Sequence, residues 1–129
     1  MQSAECRRMK HQNLQDRTRK FALSVIKFTE QLPRDDTSKI LSRQLLRSGT
    51  SVGANYGAVC RAKSKADFVS KMKTVLEEAD ESAFWIQLLL DAAKVPTQVA
   101  QPLLAEANEL TAIAASSINT AKRKSRSAR

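Results

Sequence analysis

Residues 37–61 have the sequence TSKILSRQLLRSGTSVGANYGAVCR, and this stretch decides the fold of the chain. Six positions recur in it at alternating spacings of four and three residues: Leu41, Leu45, Ser48, Val52, Asn55 and Val59. Such a period is typical of helices that pack side by side. The three glycines of the chain fall in the same stretch at Gly49, Gly53 and Gly57, so they line up along one long predicted helix.

Three glycines in a row need a physical reason, because each costs about 0.8–1 kcal/mol relative to alanine in a helix interior. A missing side chain allows another backbone or a ligand to approach closely. We therefore expect helix packing or an oligomer contact along Gly49, Gly53 and Gly57. Asn55, on the neighbouring seam, is interpreted as a buried amide that sets the register of packing.

Three further amphipathic segments surround this helix. The first spans about 14–32, where Phe21, Val25, Phe28 and Leu32 recur at spacings of four and three. The third spans about 65–90 and begins at a capping-box pattern, and the fourth spans about 97–120. The short polar connections between them predict an all-α, antiparallel up-down-up-down four-helix bundle.

The domain organisation follows from these segments. The bundle is predicted over residues 17–121, between a basic flexible N-terminal segment at 1–16 and a basic disordered tail at 122–129. The third helix carries a second apolar set near its end, including Phe84, Trp85 and Leu88. Because a helix that is apolar on two sides contacts two partners, this set predicts either the centre of the bundle or an oligomer interface.

Positive charge is unevenly distributed along the chain. The formal net charge is +9, and residues 39–73 contain eight Lys and Arg residues against the single acid Asp67. Six of these bases are predicted to form a nucleic-acid-binding patch: Lys39, Arg43, Arg47, Arg61, Lys63 and Lys65. Tyr56 is the only aromatic residue expected to be exposed there, which argues against a base-stacking platform. The terminal bases are equally well explained as solubilising ends.

The chain shows no recognisable catalytic constellation. His11 is the only histidine, the acids of the third helix lack the Glu-x-x-His pattern of di-iron bundles, and residues 47–53 lack the lysine of a phosphate-binding loop. A cluster at Glu77, Glu78, Asp80 and Glu81 is expected to be a solvated face or the partner of nearby bases. We therefore expect no enzyme activity, no metal and no cofactor.

The expected compartment is the cytoplasm. Cys6 and Cys60 form neither a C-x-x-C pair nor a disulfide framework, which favours reducing conditions, and Cys60 is interpreted as a small core or boundary residue. No stretch approaches the ~18–20 apolar residues that cross a bilayer, so no membrane partner is expected.

Four motifs carry a resemblance to a known family: QLLRSGTSVGANY at 44–56, RAKSKADFVSKM at 61–72, EADES at 78–82 followed by Trp85, and the segment from Phe21 to Phe28 before Leu32 and Pro33. Over about residues 18–121 the chain resembles the 23S rRNA intervening-sequence protein family of bacterial four-helix-bundle proteins. The resemblance implies a left-handed up-down bundle, a ring-like pentamer and no established enzymatic activity. Related accessory proteins of diversity-generating retroelements bind nucleic acid and a reverse transcriptase, which supports RNA association by analogy.

Two functional hypotheses follow. The first is a non-enzymatic homo-oligomer that binds ribosomal or other structured RNA through the basic patch. The alternative is a protein-interaction scaffold without direct nucleic-acid binding. The expected partners are accordingly further copies of the chain, RNA, or a second protein.

Overall fold

The computed structural model describes residues 11–127 as four helices. They are α1 (His11–Glu30), α2 (Asp36–Val59), α3 (Lys65–Asp91) and α4 (Thr97–Ser127), and each of the three connections is five residues long. Helix α2 packs between α1 and α3, α4 packs along α3, and a smaller contact between α1 and α4 closes the bundle. The predicted all-α four-helix bundle is thereby confirmed, while its left-handed sense stays a prediction.

Two helices begin at side-chain caps that satisfy backbone N–H groups without a partner inside the helix. At α2, the Asp35 carboxylate accepts hydrogen bonds from the backbone N–H of Ser38 at 3.0 Å and from its hydroxyl at 2.9 Å. At α3, the Ser64 hydroxyl accepts from the backbone N–H of Asp67 at 3.0 Å. The Asp67 carboxylate accepts in return from Lys63 N–H, so the capping box is shifted by one residue.

The core follows the predicted apolar seams, with one shift on α2. Leu45, Ser48, Val52 and Val59 are buried, as their spacing indicates. Near the end of the seam, however, Tyr56 is buried and 1% exposed, whereas Asn55 is only half-buried. The Asn55 amide donates to the carbonyl of Ser51 at 2.8 Å and to the Ser51 hydroxyl at 3.1 Å, within its own helix. The expectation of a buried amide that sets the register is therefore wrong.

Helix α4 is longer than predicted. It begins at Thr97 and contains Pro102 in its second turn, and it continues to Ser127 through the segment predicted as disordered from residue 122. Ala121 is still buried, and the Lys and Arg residues that follow are good helix formers whose charge suits a helix C-terminus. At the other end, α1 already begins at His11, inside the predicted flexible segment 1–16, and residues 1–10 lie outside the described part of the chain.

The glycine row has two different environments. A Cβ atom at Gly49 would lie 2.7 Å from Val25 Cγ2, and one at Gly53 would lie 3.4 Å from the backbone oxygen of Thr18. Both glycines thus let α2 approach α1 closely. A Cβ at Gly57 would meet only the Arg61 guanidinium, at 3.7 Å. Helix packing therefore explains the first two glycines and leaves the third open.

This difference predicts opposite effects of alanine. Gly49→Ala forces a methyl group into the buried, stiff side chain of Val25 and should destabilise the fold by about 1–3 kcal/mol. Gly57→Ala has space and gains helix propensity, so it should stabilise by up to about 1 kcal/mol. Urea unfolding of both variants measures the difference, and a Gly49→Ala variant as stable as Gly57→Ala would contradict the close approach of α1 and α2.

The Asp35 cap predicts an acid-dependent loss of stability. The hydrogen bonds from the backbone and hydroxyl of Ser38, with a smaller effect of Lys94, lower the pKa of Asp35 from 3.8 to about 2. A pKa that is lower in the folded state adds stability above the unfolded-state value, and this stability is lost as the pH falls toward 2. Asp35→Asn keeps a capping side chain and should show a smaller drop in unfolding midpoint between about pH 5 and pH 2. Asp36→Asn, which makes the same change in charge and leaves the Asp35 cap in place, is the control.

Candidate nucleic-acid interface

The six predicted basic residues lie toward opposite ends of the bundle. Lys39 and Arg43 lie on the first two turns of α2, whereas Arg61, Lys63 and Lys65 lie at its far end, in and beside the α2–α3 connection. Twenty-two residues separate Lys39 from Arg61, which is roughly 33 Å along a helix axis. The six residues therefore do not form one patch.

Arg47 is held by carboxylates of its own chain. Its guanidinium donates to Glu78 on α3 at 3.2 Å, and it forms a second, short contact with Glu81 one turn further. These two acids belong to the cluster that the sequence analysis interpreted as a solvated face or a partner of nearby bases, and they are the partner of Arg47. A phosphate would have to displace both carboxylates, so Arg47 is a poor candidate for an RNA contact.

The α2–α3 connection presents its bases outward. Arg61 and Lys63 are exposed, and Lys65 is half-buried at the first position of α3. The one nearby acid, Asp67, accepts from Lys71 Nζ at 2.7 Å and from the Lys63 backbone. The Lys71 ammonium, more than the backbone bond, lowers the pKa of Asp67, so this acid stays ionised and paired. Asp67 therefore pairs mainly with Lys71 and is not the principal partner of Arg61, Lys63 or Lys65.

Antiparallel packing brings further bases to the same end. Because α3 and α4 run side by side in opposite directions, the start of α3 lies at the level of the end of α4. Ala121 is buried there, and the exposed residues Lys122, Arg123 and Lys124 follow it directly. From the sequence alone, these three bases are predicted to belong to a disordered tail. The up-down topology could have placed them, because it brings the end of the fourth helix next to the connection between the second and third helices.

We call this region the turn half and define it as residues 11–20, 53–77 and 113–127. It contains three acids, Asp16, Asp67 and Glu77, and twelve bases: Arg17, Arg19, Lys20, Arg61, Lys63, Lys65, Lys71, Lys73, Lys122, Arg123, Lys124 and Arg126. Its net charge is +9. The opposite half, residues 21–52 and 78–112, contains six bases and nine acids, for a net charge of −3. The bundle is thus polarised along its axis, although Arg17 of the turn half is paired with Glu106 across the boundary.

Tyr56 does not contribute to this surface. Its side chain is buried, which contradicts the expectation that it is exposed, and burial raises the pKa of its phenol far above 10.0. The exposed aromatic ring is instead that of Phe84, on the opposite half. Among the residues that the structure places, the turn half therefore presents charge without an exposed aromatic platform, which suits contacts to phosphates rather than stacking on bases.

The second apolar set of α3, predicted as an oligomer or helix-packing surface, lies partly on the outside of the bundle. Phe84 and Leu88, one turn apart, are exposed, and the Phe84 ring meets the half-buried Trp85 ring edge to face at 5.0 Å. The Trp85 indole nitrogen is buried, and nothing within residues 11–127 accepts a hydrogen bond from it. Leaving such a donor unpaired costs about 1–3 kcal/mol. This apolar surface has no covering element in the chain as described.

A groove opens between α1 and α4, the two neighbouring helices with the smallest contact in the bundle. Its volume is about 460 Å³, and its apolar lining includes Phe21 and Phe28 of α1 with Val99 and Leu103 of α4. One wall is closed by a bidentate pair, in which Arg17 donates to both carboxylate oxygens of Glu106 at 2.7 and 2.8 Å. This pair has no local signal in the sequence, because its partners are 89 residues apart.

Three further properties bear on function. Cys60 is buried as expected, and Cys6 lies outside the described residues. Cys60 is disulfide-bonded, so the cysteines lend no support to the expectation of reducing conditions. Within residues 11–127, no three His, Cys, Asp or Glu side chains are grouped as a metal site would require. In the same range, none of the helices has the length and apolar character needed to span a bilayer.

Comparison with known proteins gives one consistent result. The family model of the 23S rRNA-intervening sequence protein matches residues 10–116. A crystal structure from Bacteroides thetaiotaomicron, a protein of unknown function from the S23 ribosomal protein family, superposes with a TM-score of 0.75 at 30% identity. The match covers 81% of this chain and 96% of the other. No match was found among curated proteins.

The burial of Tyr56 can be tested directly, because it is the only tyrosine of the chain. A phenol with a raised pKa keeps its proton in the folded state, and the stability it contributes is lost as the pH rises above 10.0. Phenolate absorbance should therefore stay flat through its usual range and rise only as helical circular dichroism is lost. An increase centred near pH 10 in folded protein would show that the ring is exposed.

Proposed function

The chain belongs to the 23S rRNA-intervening sequence protein family, and on this premise we propose that it is a non-enzymatic protein that binds structured RNA by contacting phosphates with the basic side chains of its turn half. The observation that carries the proposal is the polarised charge of the bundle, +9 in the turn half against −3 in the rest of residues 11–127. A phosphate backbone is the polyanion that such a surface attracts most strongly, through release of condensed counterions.

The chemistry of the turn half favours contacts to the RNA backbone. Most of its exposed charged side chains are Lys and Arg residues, which bind phosphate as point charges or as bidentate guanidinium groups. Double-helical RNA is recognised mainly by shape, 2′-hydroxyls and phosphates, whereas single-strand readers stack bases on exposed aromatic rings. The burial of Tyr56 therefore favours a folded RNA over an unpaired strand.

Self-association would strengthen such binding. The family resemblance implies a pentamer, and we propose a cyclic homo-oligomer of this kind. When the bundle axes run along the ring axis, cyclic symmetry presents the turn half of each copy on the same side. Several weak phosphate-binding surfaces then act on one RNA, and the second contact occurs at the high effective concentration set by the first.

A protein-interaction scaffold is the second candidate, favoured by the exposed pair Phe84 and Leu88 on the acidic half. It differs from the first in a measurable way. A scaffold retains its partner when the turn half is neutralised, whereas an RNA-binding protein loses its ligand.

Two variants with equal charge change separate these candidates. The turn variant carries Arg61→Gln, Lys63→Gln and Lys65→Gln, and the loop variant carries Arg34→Gln, Lys39→Gln and Arg43→Gln on the opposite half. In electrophoretic mobility shifts with structured ribosomal RNA, the turn variant should bind at least about tenfold more weakly, and its salt slope should fall by about two to three. The loop variant should bind like the wild type.

Other results would reject the proposal. Equal losses in both variants would mean that only net charge matters. Binding that survives in the turn variant but disappears on removal of residues 1–10, which lie outside the described helices, would indicate unspecific attraction by that segment. If the wild type binds no RNA at low salt, the scaffold function replaces the proposal.

A further inference from the structure

A buried cysteine lies where the end of α2 meets the start of α1. Cys60 is the C-cap residue of α2, and its side chain is 2% exposed. The side-chain amide of Gln15, on the second turn of α1, donates to Cys60 Sγ at 3.6 Å. Cys60 is disulfide-bonded and directly precedes Arg61. The bond therefore lies at the base of the surface that the turn half presents.

The sequence contains one further cysteine, and it lies within reach of this bond. Cys6 precedes the first residue of α1, His11, by five positions. Five residues extend to at most about 17 Å, and His11 is about 6 Å from Gln15 along the helix axis. Since the Cα atoms of a disulfide are usually about 4–7 Å apart, this length of chain is sufficient. The burial of Cys60 in turn hinders attack by a thiol of another molecule, which favours a bond within the chain.

We propose that Cys60 is bonded to Cys6, and that this disulfide is a redox-controlled tether that fastens the basic segment 1–10 to the turn half. The segment has a net charge of +2, from one acid and three bases: Glu5, Arg7, Arg8 and Lys10. Fixed beside Arg61, these bases add phosphate contacts to the turn half, and opening the bond releases them. The effect on RNA rests on the RNA binding proposed above, whereas the bond itself does not.

The bond forms and opens by thiol–disulfide exchange with a small disulfide, such as oxidised glutathione, as the oxidant. One cysteine thiolate attacks the small disulfide and releases one small thiol, and the second cysteine thiolate then displaces the other small thiol from the mixed disulfide. The two cysteine thiols lose two protons and two electrons, and the small disulfide is reduced to two thiols. An excess of a small thiol reverses both steps. RNA binding is therefore tighter under oxidising than under reducing conditions.

Peptide mapping tests the bond without reference to RNA. The wild type is treated with oxidised glutathione, its remaining thiols are blocked with N-ethylmaleimide in denaturant, and trypsin digestion follows without reductant. The digest should contain one linked pair, peptides 1–7 and 48–61, which separates on reduction. Before digestion, the denatured protein should keep the mass of one chain, 14.3 kDa. Glutathione or N-ethylmaleimide attached to Cys60, or a disulfide between two copies, would overturn the proposal.

Mobility shifts with structured ribosomal RNA test the tether. The oxidised wild type should bind at least about threefold more tightly than the reduced wild type, with a salt slope steeper by about two. Cys6→Ser keeps every charge and cannot form the bond, so it should bind like the reduced wild type under both conditions.

Equal affinities of the oxidised and reduced wild type, with circular dichroism showing both to be helical, would contradict the tether. The same holds for a Cys6→Ser variant that still responds to oxidation. If neither form binds RNA, the proposed function fails and the tether with it, while the peptide map still decides whether Cys6 and Cys60 are bonded.

Discussion

The architecture depends on three connections of five residues each, at 31–35, 60–64 and 92–96. A connection of this length cannot cross the length of a helix, so each helix must run antiparallel to the one before it. The connections at 31–35 and 92–96 then meet at one end of the bundle, where Lys94 Nζ lies 3.3 Å from an Asp35 carboxylate oxygen. The second connection meets the start of α1 and the end of α4 at the other end. This constraint gathers bases that are far apart in sequence into one turn half.

Most of the fold is predictable because burial repeats with the helical period. The local signals are all present in the structure. They are the buried seam through Phe21, Val25 and Phe28 and the helix caps at Asp35 and Ser64. The error at Asn55 has a physical origin. A strict alternation of three and four residues drifts relative to 3.6 residues per turn, so after Val52 either of two neighbouring positions can face the core. The apolar ring of Tyr56 gains more from burial than an amide that is already bonded within its own helix.

The candidate site was only partly predictable, since ion pairing between helices is not a local property. Arg47 and Arg43 carry the same charge and lie on the same helix, yet only Arg47 lies opposite Glu78 and Glu81, which pair with it. The bases after Ala121 looked like a tail because nothing nearby in sequence pairs with them. Their relation to Arg61, Lys63 and Lys65 appears only when α4 is packed against α3. The same holds for the α1–α4 groove, whose walls are about seventy residues or more apart in sequence.

Hydrogen–deuterium exchange with and without structured ribosomal RNA tests the central claim most directly, because it locates the contact without altering any residue. Amides at helix ends and connections exchange by local opening, and a bound ligand slows that opening. If the turn half is the RNA surface, RNA should slow exchange at 60–66 and at the end of α4 and leave 31–36 and 92–96 unchanged. Protection at the opposite half alone would contradict the assignment.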